Sequence, residues 1–120
     1  MIALTITFTD PDLTNEELDE EVVRLLGDLS DRSDIEAVDR VRDPNPPKGN
    51  MSVGGFLVGV LKAEVSVANA KKVLSFLGDR LNNKPITLEA EGNGKKLKVV
   101  ASSREDLVLA VQQAKEFIGN

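Results

Sequence analysis

The sequence predicts an α+β fold, in which helices cover mainly one face of a four-stranded mixed sheet in the order β-α-β-α-β-β-α. Residues 2–9 alternate between apolar and polar side chains, as a half-buried strand does. Residues 14–29 and 103–118 carry apolar side chains three or four positions apart, as amphipathic helices do. Residues 92–94, with the sequence Gly-Asn-Gly, separate two short alternating runs, which is typical of a β-hairpin.

The first strand leads into a helix whose start is marked by its residues. Thr14 is followed three positions later by Glu17, which is the spacing of a capping box. Acidic residues crowd the first turns of this helix, where the helix dipole tolerates them. A second strand is predicted at residues 35–41. A strand, a helix and a strand of this length favour a right-handed crossover, so we expect the two strands to be parallel neighbours.

The middle of the chain is harder to interpret. Residues 43–50 contain three prolines and a glycine, which predict an irregular loop. Residues 53–61 are apolar almost throughout and lack the alternation of a one-sided strand. Residues 67–81 then repeat apolar side chains at helical spacing. We therefore predict one long middle helix over residues 53–81, bent or broken near residues 64–67.

The composition disfavours several classes of function. The chain has no histidine, which is the commonest general base and transition-metal ligand, and no cysteine for thiolate chemistry or disulfides. Its acidic residues fall on helix positions predicted to be exposed, whereas a catalytic carboxyl pair needs an apolar pocket. The basic residues are dilute and the only aromatic residues are four phenylalanines, which disfavours nucleic-acid binding. We expect a protein without catalytic residues, cofactors or metals.

Length and the pattern of apolar residues indicate the organisation of the chain. The 120 residues suit a single α/β domain over residues 1–120. The first residues lack the basic segment and apolar run of a signal peptide, so we expect a cytoplasmic protein. The longest apolar stretch, residues 51–61, would extend about 16 Å as a helix. That is about half of the hydrocarbon core of a bilayer, so we expect no membrane span.

The order of the motifs resembles that of one known family. A proline-rich turn with Lys-Gly at residues 48–49 precedes the run VGGFLVGVL at residues 53–61. VLSFL at residues 73–77, a hairpin, and SRED at residues 103–106 follow. This arrangement resembles the effector-associated constant component one family. The resemblance implies a small non-catalytic adaptor or signalling component, which is encoded beside caspase-like or trypsin-like peptidases in bacterial conflict systems.

We predict that the partner-binding residues lie in the proline-rich turn and the apolar run after it. They are Pro47, Lys48, Gly49, Gly54, Gly55, Phe56 and Gly59. Gly55 and Gly59 would let another backbone approach one side of the predicted helix. The expected partner is a protein effector, a peptidase or NTPase of the same system, or a second copy of the chain. The alternative is a small-ligand or nucleotide sensor that binds an anion near Lys48 and the start of the following helix.

Overall fold

A computed structural model describes residues 1–43, 52–53 and 55–119. Within these ranges six strands and three helices form. The strands are β1 (Ile2–Phe8), β2 (Ala37–Arg42), β3 (Ser52–Val53), β4 (Phe56–Val65), β5 (Ile86–Gly92) and β6 (Lys95–Ala101). The helices are α1 (Asn15–Ser30), α2 (Val67–Arg80) and α3 (Arg104–Gly119). No helix within these ranges is both long enough and apolar enough to cross a membrane.

The main sheet has five strands in the order β2-β4-β1-β5-β6, and the short β3 pairs with the start of β4. Every strand pair in the described chain is antiparallel. The predicted α+β class is confirmed, but the prediction of a four-stranded mixed sheet is wrong. β1 and β2 do point the same way, yet they are not neighbours because β4 lies between them. Strands β1, β2, β4 and β5 with helices α1 and α2 have the split β-α-β order of ferredoxin-like folds, to which β6 and α3 are added.

The core lies between one face of this sheet and the three helices. On β1 the residues alternate strictly, with Ile2, Leu4, Ile6 and Phe8 buried. The buried residues of α1, α2 and α3 join the same cluster as these strand residues. The capping box predicted for α1 is confirmed, because the Thr14 hydroxyl accepts a hydrogen bond from the Glu17 amide at 3.1 Å. These local signals therefore place the first strand and helix correctly.

The predicted long helix over residues 53–81 is wrong. Its first half is β4, and Ser66 then caps α2 by accepting a hydrogen bond from the Asn69 amide at 3.3 Å. The second half of β4 alternates, since Leu61 is buried and Lys62 is exposed. The first half does not alternate, because residues 56–58 are all half-buried. This half-buried start is the physical reason why the apolar run did not resemble a one-sided strand.

Gly59 marks an irregularity within β4. Its φ of +75° lies in the left-handed region, and the pairing between β2 and β4 shifts register between Arg40 and Arg42. A Cβ atom at Gly59 would lie 3.2 Å from the carbonyl oxygen of Phe8. The expected close approach of a backbone therefore occurs at Gly59, but on a strand. At Gly55 a Cβ atom would meet nothing in the described chain within 4 Å.

The predicted hairpin is confirmed between β5 and β6. Gly92 pairs with Lys95, so two residues form the turn. These are Asn93, with a φ of +54°, and Gly94, with a φ of +75°. Two consecutive positive φ angles are typical of the type I′ turn, which suits the twist of antiparallel strands. The turn residues therefore determine both the position and the register of this hairpin.

Candidate functional site

The structure describes three of the seven residues predicted to bind a partner. Pro47, Lys48, Gly49 and Gly54 lie outside the described residues. Gly55, Phe56 and Gly59 are described, and they lie in a short ribbon.

We call this ribbon the arm. It consists of residues 40–42 of β2, strand β3 and residues 55–59. β1 begins to pair with β4 only at Val60, so the start of β4 pairs with β3 and β2 instead. Phe56 is half-buried in the arm. The arm therefore carries the described part of the predicted site at one end of β4.

Two arginines lie close to the ring of Phe56. The guanidinium carbon of Arg40 is 4.8 Å from the ring centroid, and that of Arg42 is 5.2 Å from it. Both distances are within the range of cation–π attraction. Arg40 is largely buried and also forms an ion pair with Asp19 on α1. Arg42 is exposed and has no ion pair within the described residues.

Neither arginine is among the residues that the sequence predicts to bind a partner. Arg40 lies in the strand predicted at residues 35–41, but Arg42 lies beyond its end, so the predicted strand does not place the two arginines together. The pairing of Arg40 with Leu61 shows that Arg40 lies on the helix side of the sheet. The Nε atom of Arg40 is buried and has no hydrogen-bond partner within the described chain. Arg40 is therefore held in place mainly by Asp19 and the ring of Phe56.

Other charged groups form pairs that join elements of the fold. Glu21 is buried on α1, and its carboxylate lies 2.6 Å from Lys84 Nζ and 3.1 Å from Arg24 Nη1. Arg32 donates two hydrogen bonds to Asp34, at 2.9 and 2.7 Å, and these lower the pKa of the Asp34 carboxyl group. Within the described residues no acidic cluster is arranged to hold a metal ion.

The sheet face opposite the helices is open, because no described helix covers it. We call it the open face. Its centre is β1, where Ala3, Thr5 and Thr7 are small and half-buried. The strand register places one row of side chains across the five strands, in the order Asp39, Lys62, Thr5, Glu89 and Lys98. The charges of this row are therefore negative, positive, neutral, negative and positive.

Helices α2 and α3 leave a groove of about 450 Å³ between them. Its floor is apolar, since Gly78 lies against Val111 and a Cβ atom on Gly78 would be 3.3 Å from Val111 Cγ2. Its rim is polar and consists of Ser75, Asp79, Asn82, Arg104, Gln112 and Lys115. Gln112 donates a hydrogen bond to Glu116 at 3.3 Å. The other five rim side chains have no hydrogen bond or ion pair with any described residue.

Comparisons with protein families, with curated proteins and with solved structures find no match for the chain. The structure defines the class to which it belongs: an α+β protein with a five-stranded antiparallel sheet and a split β-α-β core. The arm, the open face and the groove are the three surfaces from which a function can be argued.

Proposed function

We propose that the chain is a non-catalytic adaptor that binds a protein effector through the arm. The family resemblance supplies the setting, a bacterial conflict system that acts in anti-phage defence or cell suicide, and an effector such as a caspase-like or trypsin-like peptidase. We choose the arm because Arg40 and Arg42 both lie beside the ring of Phe56. Aromatic and arginine side chains supply a large share of the binding energy at protein interfaces.

The geometry of the arm suits an anchor that is ordered before binding. Arg40 contacts both Asp19 and Phe56, so the ring is held against the fold on one side. Ordering a side chain in advance reduces the entropy lost on association. The exposed Arg42 adds a positive charge at the same place, and this charge suits an acidic patch on the effector. Gly55 precedes the strand with a φ of +85°, and a Cβ atom there would meet nothing in the described chain within 4 Å beyond its own chain neighbours.

We expect Phe56→Ala and Arg42→Ala each to weaken binding to the effector by about tenfold or more, because each removes an anchoring contact. Isothermal titration calorimetry with the purified product of the adjacent effector gene measures this change. Leu109→Ala is the matched control, since Leu109 is an exposed apolar residue on α3, remote from the arm. Unchanged binding by a folded Phe56→Ala variant would contradict the choice of the arm. No binding of wild-type chain to any neighbouring effector would contradict the adaptor function.

The alternative is a small-ligand sensor, and the groove between α2 and α3 favours it. Lys48, the residue first considered for this role, lies outside the described residues. The groove instead offers Arg104 and Lys115 as cations and Asp79 as an anion, none of which has a partner in the described chain. These charges suit a ligand that carries both an acidic group and an amine or amide. The apolar floor would contact the rest of such a ligand.

A thermal-shift screen with nucleotides and amino acids tests the sensor. A ligand that binds only the folded state raises the melting temperature when its concentration exceeds its dissociation constant. We expect Arg104→Ala and Lys115→Ala to abolish that shift, because they remove the cations of the rim. Lys71→Ala, on the exposed part of α2, should retain it. The sensor function is wrong if neither class of compound stabilises the wild-type chain.

A further inference from the structure

We infer that the open face binds a second copy of the same chain, in a two-fold dimer whose axis runs nearly parallel to β1 and passes near Thr5. This inference is independent of the effector contact. Arg40 reaches Asp19 on α1, so the ring of Phe56 lies on the helix side of the sheet and the open face lies on the other. One surface can therefore form the dimer while the arm stays accessible.

The order of charges across the open face is complementary to that of a second copy. Lys62 on β4 and Glu89 on β5 flank Thr5 on the central strand. Asp39 on β2 and Lys98 on β6 lie one strand further out on either side. A rotation by half a turn about an axis along β1 places the β2 edge of one copy opposite the β6 edge of the other. It therefore places Lys62 opposite Glu89 of the second copy.

The same rotation places Asp39 opposite Lys98 of the second copy, so all four charges of the row face opposite charges. Each contact occurs twice in a two-fold dimer. A rotation about an axis across the strands would instead place Asp39 opposite its own copy. The order of charges thus favours one of the two in-plane axes.

The centre of the open face permits close approach. Ala3, Thr5 and Thr7 have small side chains, and each would face its own copy across the axis. The row towards the Thr7 end carries Val60, Thr87 and Val100, of which Val100 is 66 % exposed. Val100 lies at the β6 end of this row, and an exposed valine there gains from being covered. The open face therefore combines an uncharged centre with charged sides.

One pair on the open face opposes the dimer. Glu64 and Glu91 flank Ala3, and the proposed axis places them opposite each other in the two copies. Like charges at an interface weaken association. The geometry therefore predicts which substitution should strengthen the dimer as well as which should weaken it.

The area of the open face sets the expected strength. Five strands spaced about 4.8 Å apart, with about six residues rising about 3.4 Å each, cover roughly 500 Å² on each copy. The total of about 1,000 Å² is at the lower limit for a specific interface. We therefore expect a weak dimer that forms as the protein concentration rises.

Sedimentation velocity across a range of concentrations measures this dimer. We expect Lys62→Glu to raise the dissociation constant about tenfold, since it places two carboxylates opposite each other. Adding Glu89→Lys to that variant restores opposite charges across the interface and should restore the dimer. Because Glu89 also pairs with Lys96 at 3.5 Å and Lys98 at 3.9 Å in its own sheet, circular dichroism first checks that the double variant is folded. Glu64→Lys should lower the dissociation constant. Lys71→Glu changes the net charge equally but lies on exposed α2, so it should leave the dissociation constant unchanged.

A zero-length carbodiimide cross-link tests the orientation directly. Asp39 and Lys98 lie on opposite edges of one sheet, about 19 Å apart across four strand spacings, so a bond between their side chains can form only between two copies. We expect this cross-link in the dimer and its loss in Lys98→Gln.

A chain that stays monomeric at every concentration overturns the inference. A dimer that lacks this cross-link contradicts the proposed face. So does a dimer whose dissociation constant is unchanged by Lys62→Glu and by the added Glu89→Lys. Effector binding is measured separately, so either outcome leaves the adaptor function testable.

Discussion

Gly59→Ala is expected to lower the free energy of unfolding by about 3 kcal/mol. The φ of +75° at this position costs an L-residue roughly 1–2 kcal/mol. The new methyl group would also lie 3.2 Å from the carbonyl oxygen of Phe8 and 3.6 Å from Leu18 Cβ. Relieving that crowding requires the backbone to move, which adds about 1–2 kcal/mol. Urea unfolding followed by circular dichroism measures the loss.

Gly27→Ala is the matched control, because it is the same substitution in the opposite environment. Gly27 is exposed in the interior of α1, and a Cβ atom there meets nothing within 4 Å in the described chain. Alanine has a higher helix propensity than glycine, so we expect the free energy of unfolding to rise by about 0.5–1 kcal/mol. Opposite signs for the two substitutions would confirm the positive φ and the crowding at Gly59. A stabilising Gly59→Ala would contradict both.

Leu61→Ala is expected to lower the free energy of unfolding by about 2–5 kcal/mol, which is the usual cost of a leucine-sized cavity in a core. Leu61 is fully buried on β4, where it is paired with Ile6 of β1 on one side and Arg40 of β2 on the other. The strands beside it restrict collapse into the cavity. The midpoint of urea unfolding, at a constant slope, reports this change.

The neighbours of Leu61 distinguish a strand from the helix that the sequence predicts. Val65→Ala should also be costly, because Val65 is fully buried. Lys62→Ala and Glu64→Ala should each stay within about 0.5 kcal/mol, since both side chains are exposed. In a helix, position 64 would share a face with position 61, three residues before it. A large loss at Glu64 would therefore contradict the strand.

β4 connects the core to both proposed interaction surfaces. Its second half carries the buried Leu61 towards the helices and the exposed Lys62 on the open face. Its first half carries Phe56 in the arm. Gly59 lies between the halves, and its φ of +75° interrupts the extended backbone. Gly59→Ala should therefore weaken effector binding even when only the folded fraction of the variant is counted, because the substitution moves the arm relative to the core.

Part of the candidate site could be predicted from the sequence. The apolar run holds Gly55, Phe56 and Gly59, and all three lie in the arm, where Phe56 pairs with β3. The ribbon was predicted as a helix because the run lacks alternation, which in the structure reflects half-buried residues at the start of β4. The arginines beside Phe56 could not be placed from their positions alone. Arg42 reaches the ring only because β2 pairs with β4 across a shifted register.

By itself the sequence determined the α+β class, the first strand, the capping box at Thr14, the hairpin at residues 92–95 and the last helix. These features depend on residues close to one another in the chain, through alternation, capping and turn geometry. Only the tertiary structure decided that β4 separates β1 from β2, and that the described helices cover one face of the sheet and not the other. The physical reason is that strand order depends on pairing between distant segments. The alternation within a segment shows which of its side chains are buried, but it does not show which other strand pairs with it.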